Sequence, residues 1–404
     1  MRVNSKIGQA ARVVLSLTVI LVGSSLFCQA QTWTWKEETI DNQPARFPSI
    51  ATDSEGDVHV IYSSDTEGFK YGFRPAGSKH WFTMPVEGGA GFTSITLDSK
   101  NNPHVCLAIN TAGIIKYGSF DGSKWNFQQI APGTGPVWYS CSVGVGPDGT
   151  PRVSWYQEKG PDLSLYGHYK YAVLNGGAWL VRTIDSDPLT GKWHGMVVDG
   201  KGRAHISYDC FVNGELKYSV ESGSQWHISV VDSRRLTRSV EARDNVESLG
   251  MGNSLVLDAK GLAHISYQTD SALKYASQSG DTFTTQIVDS VRPWGSWVGY
   301  RTALALDTHG LPHIAYEETG TLKHAFWDGQ KWNIQVLARN GSEPYRFSAI
   351  AVDRNDVIYI VYRDPMEGSL KLKVGRPSER SSPSEHQKTA STSSAQIGAN
   401  TKPQ

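Results

Sequence analysis

The chain has 404 residues, and its 39 basic and 39 acidic side chains give a formal net charge of zero at pH 7. This balance argues against nucleic acid or an anionic membrane as a partner held by bulk charge. The length alone would allow two or three domains, so the number of domains has to be read from the pattern of residues along the chain.

The first 30 residues are predicted to be a secretory signal peptide. Basic residues at positions 2, 6 and 12 accompany the apolar run 13–22, and Cys28-Gln29-Ala30 offers a small-residue cleavage site before Gln31. The apolar run is short for a membrane span, and the bulky Phe27 disfavours a lipoprotein site at Cys28. We therefore expect an exported protein, periplasmic or extracellular, without a membrane span.

Most of the remaining chain consists of repeats with a period of about 50 residues. The copy at residues 301–337 contains four short apolar runs separated by Gly, Pro and Asp turns, which predicts four β-strands joined by tight turns. An Asp ends the first run, a His begins the second, a Lys lies in the third and a Trp precedes the fourth. This period and pattern are typical of propeller blades. The Asp row is Asp53, Asp98, Asp199, Asp258, Asp307 and Asp353; the His row is His59, His104, His205, His264 and His313; the Lys row is Lys70, Lys116, Lys170, Lys217, Lys274, Lys323 and Lys371; and the Trp row is Trp81, Trp125, Trp179, Trp226 and Trp332, with Phe283 in the fifth copy.

The seventh copy ends after its third strand, near Val374. Residues 35–41 match residues 226–232 in spacing, so the first strand of the mature chain is predicted to complete the last blade and to pair its exposed edge. We therefore predict an all-β fold, with residues 31–376 forming a seven-bladed β-propeller closed by its N-terminal strand. Residues 377–404 are rich in Ser, Thr, Pro, Gln and Lys, and they are predicted to be a disordered tail.

Side chains that recur in every copy are predicted to stabilise the blade. Leu216 and Tyr218 flank Lys217, so the lysine faces the opposite side of its strand. We expect its ammonium to be held between sheets by a carboxylate or by carbonyls, with the Asp that ends strand one as its partner. The Trp row is expected to cap each blade between strands three and four.

The predicted mature chain keeps three cysteines, Cys106, Cys141 and Cys210. An odd count does not indicate a disulfide framework. Cys106 and Cys141 lie in strands of adjacent blades, which leaves one bridge open, but small buried thiols are the expected state.

The segment Ser119-Phe120-Asp121-Gly122-Ser123-Lys124-Trp125 resembles the Asp box of sialidase-type propeller repeats, Ser-x-Asp-x-Gly-x-x-Trp, shortened by one residue. Weaker versions occur at residues 328–332 and 222–226. The resemblance implies the fold, since such repeats occur in sialidases, other glycosidases, polysaccharide lyases, lectins and proteins of no known activity. Arg46-Phe47-Pro48 is similar to the Arg-Ile-Pro opening of sialidases, which implies that Arg46 binds a substrate carboxylate. The Arg-Phe pair recurs before strand one of the last blade, at Arg346-Phe347.

In a propeller, the loops from strand four to the next strand one and from strand two to strand three share one face around the channel. Here these loops are long and irregular, whereas the opposite face has short Asp-x-x-Gly turns. We therefore expect a binding site on this loop-rich face, where aromatic side chains suit sugar rings and arginines suit carboxylates. The candidate ligand-binding residues are Arg46, Arg301, Arg346, Trp138, Trp193, Trp294, Trp297, Tyr300 and Tyr345.

Three further residues of this face, His194, Tyr139 and His168, are candidates for catalysis. Propeller lyases and related glycosidases use such His and Tyr residues beside an Arg that neutralises a uronate, so the resemblance implies a base that works near neutral pH. The sequence has no metal-binding motif, EF-hand spacing or Gly-rich phosphate loop, so no metal and no cofactor are expected.

The sequence thus predicts an exported, monomeric propeller that binds a carbohydrate ligand, an acidic glycan, on its loop-rich face. Two alternatives stay open. One is a glycoside hydrolase or polysaccharide lyase, sialidase-like or uronate-directed, that uses the same face. The other is a protein-interaction platform.

Overall fold

The computed structural model describes residues 32–110, 112–131, 141–157, 168–187, 190–234, 249–269, 271–290, 301–318, 320–339 and 347–378. Its 28 β-strands form seven antiparallel sheets of four strands each, which are the blades of a β-propeller. The predicted fold class is therefore confirmed. Within the described ranges there is no helix with the length and apolar character needed to cross a membrane. The predicted signal peptide lies outside these ranges, and so does the predicted tail 377–404 except for its first two residues, of which Pro377 belongs to the last strand of the chain.

The strands follow the chain blade by blade, except that β1 joins the last blade. Blade 1 contains β2 (Ala45–Thr52), β3 (Val58–Ser64), β4 (Gly68–Arg74) and β5 (Phe82–Glu87); blade 2 contains β6 (Gly91–Leu97), β7 (Pro103–Ile109), β8 (Ile114–Phe120) and β9 (Trp125–Ala131); blade 3 contains β10 (Cys141–Val145), β11 (Pro151–Gln157), β12 (His168–Asn175) and β13 (Ala178–Asp185); and blade 4 contains β14 (Thr190–Val198), β15 (Ala204–Cys210), β16 (Glu215–Ser222) and β17 (Gln225–Ser233). Blade 5 contains β18 (Met251–Leu257), β19 (Ala263–Gln268), β20 (Ala272–Ser279) and β21 (Thr282–Ser290); blade 6 contains β22 (Ala303–Leu306), β23 (Pro312–Glu318), β24 (Thr321–Trp327) and β25 (Trp332–Arg339); and blade 7 contains β26 (Ser348–Val352), β27 (Ile358–Arg363), β28 (Leu370–Pro377) and β1 (Trp33–Asp41).

The first strand of each blade lines the central channel. These inner strands pack side by side in chain order, and β26 of blade 7 packs against β2 of blade 1 to complete the circle. The second strand of a blade is almost wholly buried, as in β3 and β7, whereas the fourth strand forms the exposed outer edge, as in β5. The hydrophobic core therefore lies between neighbouring sheets, around the whole ring.

The Asp row holds the short turns between strands one and two. In blade 4, Asp199 accepts hydrogen bonds from the main-chain N–H groups two and four residues later, at 3.0 and 2.8 Å. Its second oxygen lies 3.1 Å from His205 Nε2, and His205 Nδ1 lies 2.5 Å from the hydroxyl of Tyr218. The Asp and His rows thus form a hydrogen-bonded chain inside the blade, which confirms their structural role.

The Lys row links neighbouring blades. Lys217 of blade 4 is buried, and its ammonium lies 3.0 Å from Asp185 and 2.8 Å from Asp187 of blade 3. Lys70 of blade 1 contacts Asp41 of blade 7 at 2.8 Å in the same way. A carboxylate holds the ammonium as expected, but the predicted partner is wrong. The lysine of strand three faces the end of strand four in the preceding blade. The Asp that ends strand one already accepts hydrogen bonds from the main chain of its own turn. The other links of this kind are Lys116–Glu87, Lys274–Asp232 and Lys323–Asp289.

At two interfaces between blades, the residue at the end of strand four that would pair with the lysine is not an acid. In the pairing of strands three and four, Ala131 of blade 2 and Ala338 of blade 6 take the place that Asp232 has in blade 4. Lys170 of blade 3 accordingly donates to a hydroxyl of its own blade, and Lys371 of blade 7 pairs with a carboxylate of its own blade. The 2/3 and 6/7 interfaces are therefore joined in other ways.

The N-terminal strand joins the 6/7 interface. β1 pairs with β28 from Trp33 opposite Pro377 to Asp41 opposite Leu370, so the predicted closure is confirmed. The rings of Trp33 and Trp35 lie 5.7 and 5.3 Å from the buried ring of His324 in blade 6. β1 thus completes blade 7 and packs against blade 6.

The Trp row also crosses between blades. Trp226 of blade 4 packs edge-on against Tyr171 of blade 3, with ring centroids 4.9 Å apart, and Trp332 of blade 6 packs against Tyr275 of blade 5 at 5.2 Å. The rings also pack within their own blade, since Trp332 lies 5.6 Å from Trp327 and Trp125 lies 5.5 Å from Phe120, so they serve both their own blade and the contact with the preceding one. A large flat ring at the start of strand four fills the outer gap that twisted neighbouring sheets leave between them.

A disulfide joins the 2/3 interface. Cys106 in β7 and Cys141 in β10 are bonded and buried, with Cα atoms 6.2 Å apart. The expectation of free buried thiols is therefore wrong for this pair, because the number of cysteines does not tell which two strands lie face to face. Cys210 is free and buried, as expected.

Loss of the disulfide is expected to lower the free energy of unfolding by about 3–4 kcal/mol, since the bond closes a loop of 35 residues in the unfolded chain. Urea unfolding of the Cys106→Ala, Cys141→Ala double variant, followed by circular dichroism, measures the loss. Reduction of the native protein gives the same comparison without a mutation. Cys210→Ala is the matched control, and unchanged stability in both the double variant and the reduced protein would contradict the prediction.

Candidate functional site

Five of the predicted site residues fall within the described part of the chain: Arg46, His168, Trp193, His194 and Arg301. The other seven lie outside it: Trp138, Tyr139, Trp294, Trp297, Tyr300, Tyr345 and Arg346. The predicted roles of those seven stay predictions.

Arg301 lies at the mouth of the central channel on the loop-rich face. It precedes β22, the inner strand of blade 6, and its guanidinium carbon lies 4.4 Å from the ring centroid of Phe92, 4.7 Å from that of Trp193 and 4.6 Å from that of Phe347. These rings belong to blades 2, 4 and 7, so one cation joins inner strands from several sides of the channel. A cation–π contact contributes about 0.5–2 kcal/mol. We call these four residues and Phe47 the channel-mouth cluster.

Phe47 completes the aromatic part of the cluster. Its ring centroid lies 4.2 Å from that of Phe92 and 4.4 Å from that of Phe347. Phe47 and Phe347 have φ angles of 53° and 72°, in the left-handed region that is uncommon for residues other than glycine. An Arg-Phe pair recurs at the inner strands of blades 1 and 7 and marks both positions in the sequence, but it indicates neither their left-handed backbone nor their place in the site.

Arg46 makes a different contact. Two nitrogens of its guanidinium lie 2.9 and 3.1 Å from the carboxylate oxygens of Asp65, and 53 % of its side chain is exposed. An exposed pair of this kind contributes about 0–1 kcal/mol, so an anionic ligand could replace Asp65 at little cost. The role of Arg46 as a carboxylate ligand stays a prediction.

Two buried side chains hold the main chain at Trp193. Asp209 of blade 4 accepts a hydrogen bond from the Trp193 N–H at 2.9 Å, and the amide of Asn253 in blade 5 donates to the Trp193 carbonyl at 2.9 Å. Asp209 is 1 % exposed and Asn253 is 7 % exposed. Ser207 in turn donates to Asn253 at 2.6 Å. The position of the indole on Arg301 is thus fixed by a buried polar network from two blades.

Asp209 is a carboxylic acid that titrates near neutral pH. Burial raises its pKa to about 7, although the hydrogen bond from Trp193 and the positive charge of Lys192 act to lower the pKa. The ammonium of Lys192 lies 6.0 and 5.9 Å from the ring centroids of Tyr156 and Phe211. Nothing in the sequence pattern identifies Asp209, because its burial depends on how blades 4 and 5 meet.

His194 lies beneath the channel mouth. Burial lowers its pKa to about 4, the main-chain contacts oppose this shift, and the charge of Arg301 lowers the pKa further. The ring is therefore neutral at physiological pH, but a pKa of about 4 makes it a weaker base than the neutral-pH base that the resemblance implies. Its two nitrogens lie 3.1 and 3.3 Å from the carbonyls of Gly191 and Ser154. A substrate would have to displace one of these contacts.

His168 lies in blade 3, whose Tyr169 contacts His194. It is half-buried at the start of β12, next to Tyr169. The ring of Tyr169 is fully buried, with its centroid 4.7 Å from that of His194. Because successive side chains of a strand point to opposite faces of the sheet, His168 and Tyr169 lie on different faces of β12, and the structure does not bring the two predicted histidines together. Their catalytic roles stay predictions.

The segments that resemble an Asp box form turns on the opposite face. Asp121 accepts hydrogen bonds from the main-chain N–H groups of Ser123 and Lys124 at 3.0 Å each, and from the Asn126 side chain at 2.9 Å. Asp328 makes the equivalent bonds in blade 6. These contacts stabilise the turn between strands three and four.

The opposite face also brings Asp307, His309 and Asp356 together, and one atom of each lies within 4.8 Å of the others. Both carboxylates already accept hydrogen bonds from main-chain N–H groups, Asp307 from His309 and Asp356 from Thr308. The turns of blades 6 and 7 account for this arrangement.

The fold and the cationic, aromatic channel mouth define a seven-bladed propeller with a candidate ligand site on one face. No protein-family model matches the chain, and no curated protein matches it. Among solved structures, the polysaccharide lyase Uly1 is similar at 9 % identity, covering 85 % of this chain and 99 % of that chain with a TM-score of 0.53. A PL25 ulvan lyase bound to -[GlcA(1-4)Rha3S]- is similar at 12 % identity, covering 83 % and 95 % with a TM-score of 0.55. At such identities, the likeness shows the fold alone.

Proposed function

We propose that this protein is an exported propeller that binds an acidic glycan at the channel mouth of its loop-rich face. The observation that carries the proposal is the position of Arg301, whose guanidinium is held by aromatic rings from blades 2, 4 and 7. The faces of these rings hold the guanidinium in one orientation through cation–π contacts. A fixed guanidinium beside ring faces suits a sugar that carries a carboxylate.

Local charge has to provide the attraction, because the chain as a whole is neutral. Lys192 lies near Asp209 under the same part of the face, and Arg46 holds a weak exposed pair with Asp65. Both cations would add to the field of Arg301 for an anionic ligand. The two polysaccharide lyases with this fold support the proposal by analogy, since one of them is bound to a fragment that contains glucuronate.

Export is part of the proposal. The disulfide between Cys106 and Cys141 supports it, because such bonds persist in oxidising compartments. The basic and apolar pattern of residues 1–30 is that of a signal peptide. We further propose that the mature protein is one monomeric propeller domain over residues 31–376 with a C-terminal tail, and that its repeats are related to the sialidase type.

A polysaccharide lyase is the second candidate function. It is favoured by the proximity of His194, Tyr169 and Arg301: the Tyr169 ring packs on His194, and the charge of Arg301 affects the pKa of His194. β-Elimination needs a base, an acid and a cation that neutralises the uronate, and these three side chains are of the right types. His194 and Tyr169 are 5 % and 0 % exposed, so a substrate would reach them only if the interface of blades 3 and 4 opened. Accumulation of unsaturated uronate, seen by ultraviolet absorbance when the protein is incubated with acidic polysaccharides, would establish this activity.

The test of binding is a glycan array followed by calorimetry with the mature protein. We expect binding to uronate-containing oligosaccharides, and Arg301→Gln should weaken it about 10- to 100-fold, as expected for loss of a charge-assisted contact. Lys260→Gln is the matched control, because this exposed cation lies on the opposite face. Thermal unfolding shows whether each variant is folded. An array without acidic glycan hits, or equal affinity in folded Arg301→Gln protein, would overturn the proposal.

A further inference from the structure

We propose that Asp209 is a positioning residue of the channel-mouth site, and that its carboxyl group makes binding of an acidic glycan depend on pH. This inference rests on the proposed function for its ligand, but not for its geometry. It assigns a role to a buried acid that neither the fold nor the blade repeats require.

The geometry begins with the main chain at Trp193. The register of β14 and β15 is irregular between Thr190 and His194, so the N–H and carbonyl of Trp193 are not paired in the regular ladder. Asp209 accepts from the N–H and Asn253 donates to the carbonyl, both at 2.9 Å. The indole held in this way lies 4.7 Å from the Arg301 guanidinium carbon. A change in the charge of Asp209 therefore acts on the proposed ligand site through Trp193 alone.

The buried surroundings of Asp209 disfavour the ionised form of its carboxyl group. Asp209 is 1 % exposed. A Cβ atom added at Gly250 would lie 3.5 Å from the Cβ of Asp209, so the start of blade 5 covers Asp209 closely. Among the described residues, two titratable groups couple to it, Lys192 from blade 4 and Tyr169 from blade 3. Neither changes its charge near pH 7, since lysine and tyrosine titrate well above it. Burial accordingly places the pKa of Asp209 at about 7.

The sign of the pH effect follows from the charges. The carboxyl group is neutral below its raised pKa and negative above it, whereas a uronate stays negative throughout the range from pH 5.5 to 8.5. An ionised Asp209 repels a bound uronate and also places negative charge beneath Trp193. Affinity should therefore fall as pH rises through about 7, by about fivefold between pH 5.5 and 8.5 for partly screened charges.

The first arm of the test needs no ligand. The chain has 13 tryptophans, so in protein labelled with ¹⁵N-tryptophan the main-chain amide of Trp193 can be assigned from its absence in Trp193→Phe. We expect this resonance to titrate with a midpoint near 7 and to be unchanged by pH in Asp209→Asn, whose side-chain oxygen can still accept the hydrogen bond. A Trp193 amide that does not titrate between pH 5.5 and 8.5 would overturn the inference, whatever the ligand.

The second arm measures the affinity for an oligomer of galacturonate from pH 5.5 to 8.5, with a neutral galactose oligomer as control. Wild-type affinity should fall with pH, and Asp209→Asn should keep the wild-type low-pH affinity over the whole range. A purely structural role for Asp209 predicts parallel pH profiles in the two proteins, and this would overturn the coupling. If the amide titrates but no acidic glycan binds at any pH, the proposed function fails while the positioning of Trp193 stands.

Discussion

Deletion of residues 32–41 is expected to abolish cooperative folding of the propeller. The deletion removes β1, leaves the β28 edge unpaired, and takes away the contacts of Trp33 and Trp35 with His324. Each of these half-buried tryptophans contributes on the order of 1.5–3 kcal/mol, and the whole domain is stabilised by only about 5–15 kcal/mol. We expect the far-ultraviolet circular dichroism of the variant to show no sharp thermal transition.

The matched control removes a segment of the other terminus, residues 380–404, which the sequence predicts to lie outside the propeller. This variant should unfold at the temperature of the full mature chain. A sharp transition at an unchanged midpoint in the chain that lacks residues 32–41 would show that β1 does not hold the ring closed. Addition of a synthetic peptide of residues 32–41 should restore part of the transition.

Lys217→Ala is expected to lower the free energy of unfolding by about 3–5 kcal/mol, because it leaves the carboxylate of Asp185 buried without its counter-ion. Burial acts to lower the pKa of Lys217, but its hydrogen bonds with Asp187 and Asp185 outweigh burial, and the net pKa is raised. The side chain is therefore charged at neutral pH. Urea unfolding measures the loss.

Lys116→Ala is the matched control for Lys217→Ala. Lys116 has the same place in blade 2, but it and Glu87 are 24 % and 23 % exposed, whereas Lys217 and Asp185 are each 9 % exposed. The smaller desolvation should limit the loss in Lys116→Ala to about 1 kcal/mol. Glycan affinity should be unchanged in folded protein of both variants. A stable Lys217→Ala variant that loses affinity would assign this lysine to function.

The sequence was sufficient for the architecture because the fold repeats. Seven copies of one pattern determine the strands, and the match between residues 35–41 and 226–232 identifies the closing strand. The partners of the repeated side chains could not be predicted in the same way. Spacing shows which face of a strand Lys217 occupies, but not that the end of the preceding blade lies opposite that face.

The candidate site was predicted less completely, for a related reason. Arg301 and Trp193 were found from composition, because charged and aromatic residues in long loops are uncommon enough to attract attention. Phe92 is an ordinary strand residue in the sequence, and the left-handed backbone of Phe47 has no sequence signature of its own. Asp209 and Asn253 act through burial, which arises only where two blades meet.

At the 2/3 and 6/7 interfaces, alanine replaces the strand-four acid that pairs with lysine at the other interfaces among the described residues, and this affects how the ring would open. A closed ring of blades opens first at its least stable interface. Among the five charged interfaces, the more exposed Lys116–Glu87 pair should weaken most as added salt screens it, whereas buried pairs such as Lys217–Asp185 are screened much less. The 2/3 interface depends on a disulfide, which salt does not affect and a reductant breaks. The 6/7 junction depends on the aromatic contacts of the first strand. Added salt would therefore open the ring at a charged interface, a thiol reductant at the 2/3 interface, and loss of the N-terminal strand at the 6/7 interface.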